Sequence, residues 1–249
     1  MNRFARPLVL AAGLALTALP AAAQDFSTAQ RGEIEKIIKE YLIRHPEVLQ
    51  EAMAELEKKQ QLAETEKARS AIKNHSDALF NSPRQVVLGN PQGDVTFVEF
   101  FDYNCGYCKR ALTDMVEIMG KDPKLKVVLK EFPVLGPGSV EAAQVAVAVR
   151  MQDKTGKKYL EFHQKLLGGR GQVDKAKALA TAKEIGLDMA RLDKDLKSDE
   201  IGKTLEESMK LAEALGLNGT PSYVIGNDVV IGAVGQAALS QKIQAARQQ

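Results

Sequence analysis

VTFVEFFDYNCGYCKRALTDMVEIMG, residues 95–120, decides how this chain is read. Residues 95–101 are a near-continuous apolar run, the pattern of a strand covered on both faces. Cys105 and Cys108 follow directly. Leu112, Met115, Val116 and Met119 then recur at helical spacing. A second strand pattern, KLKVVLKEF at 124–132, ends at Pro133. The order is strand, helix, strand: a βαβ unit with the cysteines where its helix begins.

These are the only cysteines among 249 residues. A bridge between them would close a ring of four residues, the loop length at which chain entropy stabilises least. A C-x-x-C that follows a strand and opens a helix reads instead as a thioredoxin-like redox motif. The first turn of a helix has unpaired N–H groups, and its macrodipole favours negative charge. A thiol placed there has a lowered pKa and becomes the nucleophilic thiolate. Cys105 takes that place. Cys108, one turn further in, is the more buried thiol and can resolve a mixed disulfide formed at Cys105. Lys109 and Arg110 add positive charge nearby, screened by solvent. No cofactor beyond the Cys105–Cys108 disulfide is called for. Structural zinc wants four ligands, and His45, His75 and His163 lie far apart in sequence. Two thiolates do suit Cu(I), so Cys105 and Cys108 are also a candidate copper pair.

The start of the chain, MNRFARPLVLAAGLALTALPAAAQ, has two arginines, a short apolar stretch and a small-residue A-x-A site. It reads as a secretory signal over residues 1–23, which sends the protein to the periplasm, where a disulfide can persist. Its apolar run is shorter than the roughly 20 residues that span a bilayer. Removing two arginines from 34 basic residues leaves 32 against 32 acids, so the mature chain is neutral. A neutral chain has no electrostatic reason to bind nucleic acid.

Residues 24–80 form a helical extension and linker. Ser27 and Gln30 fit a capping box. Ile34, Ile37, Ile38, Tyr41 and Leu42 then mark one helix face. Pro46 breaks the run and opens a second helix with Val48, Leu49, Ala52, Met53 and Leu56 on its stripe. Residues 57–73 are dominated by charges and amides, as in a solvated helix or a linker. The stripes need a partner, and self-association of this arm is the preferred reading.

Residues 81–249 make the second domain. Helices fill about 137–216, with breaks at Gly168-Gly169, near Gly186, near Ser198 and at Gly216. Tyr223-Val224-Ile225 and Val229-Val230-Ile231 then predict a hairpin with the three-residue loop 226–228. A last helix runs from Gln236. The fold class is α/β, with an N-terminal α-helical extension.

FVEFFDYNCGYCKR, KEFPVLGPGS and GLNGTPSYVIG occur in that order, and with them residues 86–249 resemble the DsbA-like branch of the thioredoxin superfamily. The resemblance implies a thioredoxin-like fold with a helical insertion and periplasmic thiol:disulfide exchange. It implies Cys105 as nucleophile and Cys108 as resolving thiol. It matches Thr220-Pro221 to the pair holding the family's cis-proline. It matches Glu99 to the buried acid beneath the cysteines, and the strand pattern agrees by placing Glu99 on the face of Phe97 and Phe101. Desolvated there, Glu99 would have a raised pKa and could relay protons to Cys108. Asp102 and Tyr103 are expected to line the approach, and His163 to sit on a helix surface.

Gly106-Tyr107 departs from the Pro-His of the strongly oxidising members. It is similar to the dipeptide of the dimeric periplasmic isomerase DsbC, as is threonine before the cis-proline. FSTAQRGEIEKIIKEYLIRHPEVLQEAM, residues 26–53, resembles the start of the ScsC (suppressor of copper sensitivity) type, some of whose members are trimers. These likenesses imply a disulfide isomerase or reductase, a homo-oligomer with a trimer favoured. Misfolded or reduced secreted proteins would be its substrates and a membrane thiol reductase its partner. A monomeric dithiol oxidase and a Cu(I)-binding protein of copper tolerance are the alternatives.

Overall fold

A computed structural model describes residues 26–153 and 155–248. The leader read over residues 1–23 lies outside them. The chain divides into two compact units, with the division between Glu57 and Lys58.

The first unit carries α1 (Thr28–Arg44) and the beginning of α2 (Glu47–Asn74). The capping box forms as expected: Gln30 N–H donates to Ser27 Oγ at 3.3 Å, and Ser27 N–H to Gln30 Oε1 at 2.9 Å. Pro46, with no N–H to donate, stands between the helices. No residue of α1 is buried. Ile34, Ile37, Ile38 and Tyr41 form an apolar stripe open to solvent, continued on α2 by Leu49, Met53 and Leu56.

The second unit begins within α2. Residues 57–73, read as helix or linker, are helix throughout, and Ile72 is buried. Then come α3 (Ser76–Phe80), β1 (Val86–Gly89), β2 (Val95–Phe101), α4 (Gly106–Lys121) and β3 (Leu125–Glu131). The insertion follows as α5 (Pro137–Gln152), α6 (Lys157–Gly168), α7 (Lys175–Glu184), α8 (Met189–Asp195) and α9 (Asp199–Ala214). β4 (Ser222–Ile225), β5 (Asp228–Ile231) and α10 (Gln236–Ala246) close the chain.

The sheet order is β1-β3-β2-β4-β5, with β2 and β3 parallel and the other pairs antiparallel. This is a thioredoxin-like sheet. Strand alternation decides what β2 offers each layer. Val98 and Phe100 pack with Leu79 of α3 and Leu211 and Leu215 near the end of α9. Phe97 and Phe101 pack on the other face, with Met115 of α4, Phe162 of α6 and Leu239 of α10. Glu99 shares that second face, so it lies on the same side of the sheet as the helix that begins at the cysteines. The hairpin loop is one residue shorter than expected. Asp228 pairs with Ile225, leaving Gly226-Asn227 as a two-residue loop. Gly226 takes φ +58°, the sign such tight hairpin turns require of their first residue.

Candidate active site

β2 ends at Phe101, and four residues carry the chain from its edge to α4. Cys105 is the N-cap of that helix. Its Sγ accepts a hydrogen bond from Cys108 N–H at 3.3 Å and donates one to the Thr220 carbonyl at 3.1 Å. Both cysteines are free thiols. Cys105 is 5% exposed and Cys108 0%. The peptide bond Thr220–Pro221 is cis, and the Pro221 carbonyl accepts from Gly232 N–H at 2.8 Å. Cys105, Cys108, Thr220 and Pro221, predicted as one site, are thus brought together from segments more than 110 residues apart.

Beneath the pair lies Glu99, buried on β2. Burial and the negative charge of Asp114 push its carboxyl up to about 8. Its Oε2 makes no hydrogen bond among the described residues. Tyr223 of β4 stands opposite it in register, and its hydroxyl is likewise unpartnered. Burial drives the Cys108 thiol upward, and the Cys105 sulfur and the Glu99 charge add to that rise. A hydrogen bond with the Asp102 backbone works against it. The two sulfurs therefore differ in kind: one caps a helix and keeps a little exposure, the other is fully enclosed and holds its proton.

Three expectations need correction. Asp102 and Tyr103 do not line the approach; each is 1% exposed. Asp102 turns inward because its carboxylate collects donors from three segments, Asn104, Val134-Leu135 and Ser139. Tyr103 turns inward to stack edge-on against Phe101, with ring centroids 5.1 Å apart. His163 is not on a helix surface but 1% exposed. It packs edge-on against Phe101, and its Nδ1 lies 3.4 Å from the Tyr103 hydroxyl. Burial lowers its pKa to about 3, so it stays neutral at physiological pH.

Tyr107, between the cysteines, is 60% exposed, and Val134 and Leu135 are exposed as well. The positive charges expected near the thiols are partly engaged. Lys109 donates to the Gly169 carbonyl at 2.7 Å, and the Arg110 guanidinium lies over the Tyr107 ring. Asn104 and Ser139 are functional-site residues that sequence reasoning missed. Among the described residues no group of three or more His, Cys, Asp or Glu side chains could hold a metal ion, and no helix is long and apolar enough to cross a membrane.

A strand that delivers two thiols to a helix N-terminus, opposite a cis-proline and above a buried acid, defines a thioredoxin-type dithiol site. The comparison with known families agrees. Residues 96–244 match the DSBA-like thioredoxin domain, and the chain belongs to that family. Residues 30–63 match the copper resistance protein ScsC N-terminal domain. A thioredoxin-like oxidoreductase from Silicibacter pomeroyi DSS-3 is 44% identical, with a TM-score of 0.66 over 70% of this chain and 98% of that one. ScsC of Proteus mirabilis, solved in a transitional conformation, is 29% identical over 90% of this chain and 99% of that one, with a TM-score of 0.66. The thiol:disulfide interchange protein DsbA of Bordetella pertussis is 28% identical over 139 residues, which are 54% of this chain and 64% of that protein. The chain spans less than two thirds of the length of these curated relatives, and only 27% of the Na(+)/H(+) antiporter NhaA 1 of a Mycobacterium strain.

Proposed function

We propose that this protein exchanges disulfides in protein substrates through Cys105 and Cys108, working as a periplasmic isomerase or reductase. The observation that carries the reading is the Cys105 sulfur, held between the Cys108 N–H and the Thr220 carbonyl. In the first step the Cys105 thiolate attacks a substrate disulfide. A mixed disulfide forms at Cys105, and one substrate sulfur leaves as a thiolate. The fraction of Glu99 that is ionised near neutral pH, its carboxyl lying at about 8, accepts the Cys108 proton. The Cys108 thiolate then attacks the Cys105 sulfur and expels the second substrate sulfur. The substrate gains two electrons as two thiols, and the pair becomes a disulfide. When a substrate thiol attacks the mixed disulfide before Cys108 does, the substrate is rearranged and the pair stays reduced. A membrane thiol reductase would return the two electrons after each full reduction.

Three features favour isomerisation over oxidation. Gly106-Tyr107 lies between the thiols, and Thr220 precedes Pro221. The third is the solvent-open stripe of the N-terminal helices, in a segment that matches the ScsC N-terminal domain. Such a stripe supports a homo-oligomer, with a trimer favoured. Several active sites around one misfolded secreted protein act at high effective concentration. The test is refolding of a scrambled disulfide substrate by the reduced mature protein. Recovery of native pairing is expected, with loss in Cys105→Ser. No recovery, with fast oxidation of a reduced substrate instead, would point to the dithiol oxidase. Cu(I) held by the two thiols more tightly than by a mild chelator would point to copper handling.

A further inference from the structure

Asp102 touches both cysteines through its own backbone. Its carbonyl accepts from Cys105 N–H at 3.1 Å. The same backbone also acts on the Cys108 thiol, lowering its pKa against the effect of burial. A small rotation of this one residue therefore moves the bond to Cys105 and changes what faces Cys108.

Its side chain prevents that rotation. Oδ1 accepts from Asn104 N–H at 2.7 Å and from the Ser139 hydroxyl at 2.7 Å. Oδ2 accepts from Val134 N–H at 2.8 Å and Leu135 N–H at 2.9 Å. A carboxylate offers about four lone-pair sites, and four donors meet them here. An amide in its place has one acceptor oxygen and would face two of these donors with N–H groups of its own.

Asn104 extends the anchorage into the helical insertion. Its Oδ1 accepts from Val173 N–H at 2.7 Å, and its Nδ2 donates to the Val173 carbonyl and to Ser139 Oγ, both at 2.9 Å. The segments approach closely enough that a Cβ on Gly138 would lie 2.8 Å from the Val173 carbonyl oxygen. The turn bearing the thiols is thus tied at residues 134–135, 139 and 173.

We propose that Asp102 is a positioning residue for disulfide exchange: its four-donor carboxylate fixes the backbone that hydrogen-bonds Cys105 at the start of the helix bearing both thiols, and so sets the redox equilibrium of the pair. The inference rests on the reading of these two cysteines as the reacting pair. A carboxylate that merely held the loop together would affect folding and leave that equilibrium alone.

The experiment compares the full mature chain with Asp102→Asn and Ser139→Ala. Each is equilibrated against reduced and oxidised glutathione, in which the dithiol plus one glutathione disulfide gives the Cys105–Cys108 disulfide plus two glutathione thiols. The pH profile of alkylation and the thermal unfolding curve are recorded alongside. Asp102→Asn is expected to shift the equilibrium constant about tenfold and to displace the pH profile, as loss of charge-assisted hydrogen bonds to a buried carboxylate would. Ser139→Ala, which removes one donor and keeps the charge, should shift the constant about threefold. A folded Asp102→Asn with a lower melting temperature, but with the wild-type constant and pH profile, overturns the proposal. If Asp102→Asn does not fold, Ser139→Ala decides alone, and an unchanged constant overturns the proposal. A wild-type chain that fails to equilibrate with glutathione removes the reading of the pair itself, a result distinct from either variant's.

Discussion

α1 and α4 begin in the same way. Each has an N-cap side chain that accepts the N–H of the residue three positions on, at 3.3 Å in both. In α1 the accepting atom is the oxygen of Ser27, and in α4 the sulfur of Cys105. The capping geometry is therefore ordinary, and the chemistry comes from the atom placed in it and from what faces that atom. The helices differ again along their lengths. α4 buries Cys108, Ala111, Leu112, Met115 and Ile118 against its own domain. α1 buries nothing, although Ile34, Ile37, Ile38 and Tyr41 follow an equally regular spacing. One apolar face has its partner within the chain. Covering the other would remove several large side chains from water, each worth about 1.5–3 kcal/mol when fully buried.

The largest effect should come from breaking the α1 side of this comparison. Ile37→Glu with Ile38→Glu puts charges on the open stripe and leaves Cys105 untouched. If the stripe joins copies of the chain, as proposed, light scattering should show the variant as a monomer. Isomerisation of a scrambled substrate should drop by about a hundredfold, the loss of effective concentration, while single-turnover exchange with a small disulfide persists. An unchanged mass would mean that the stripe has some other use.

A smaller effect sharpens the α4 side. Glu99 is held protonated by burial, with its carboxyl at about 8 against an ordinary value of 4.5. The unfolded chain releases that proton near pH 4.5, and the folded one only near pH 8. Its contribution to stability is thus fully present below about pH 4.5 and lost as pH rises towards 8. Glu99→Gln removes the loss. Thermal unfolding should find the variant more stable than wild type at pH 8, by on the order of a few kcal/mol, with the gap closing by pH 4.5. Resolution of the mixed disulfide should slow by about tenfold to a hundredfold, the loss expected when the proposed proton acceptor of Cys108 is removed. Equal melting curves at pH 8 would place Glu99 in contact with water.

Much of this was legible in the sequence because it is local. The run 95–101, the C-x-x-C and the 3.6-residue period behind it define strand, turn and helix without distant information. Glu99 was legible through alternation, since it shares a strand face with two phenylalanines. Asp102 was not. Its partners Val134, Leu135 and Ser139 lie 32 to 37 residues away, and nothing local announces that three segments converge on one carboxylate. His163 is a different kind of miss. Tyr159, Phe162, His163, Leu166 and Leu167 all lie on the buried face of α6, at offsets of three, four, seven and eight residues. The helical period places His163 on the buried face, whereas residue type alone points to the surface. In the hairpin, composition puts Asp228 in the loop, yet its backbone pairs with Ile225.

Two sulfurs three residues apart are made unequal by their places in one helix. Alkylation of the reduced protein with limiting iodoacetamide at neutral pH, followed by peptide mass spectrometry, tests it most directly. Label is expected on Cys105, with Cys108 unmodified until the protein unfolds. Equal labelling of the two, or label on Cys108 first, would contradict it.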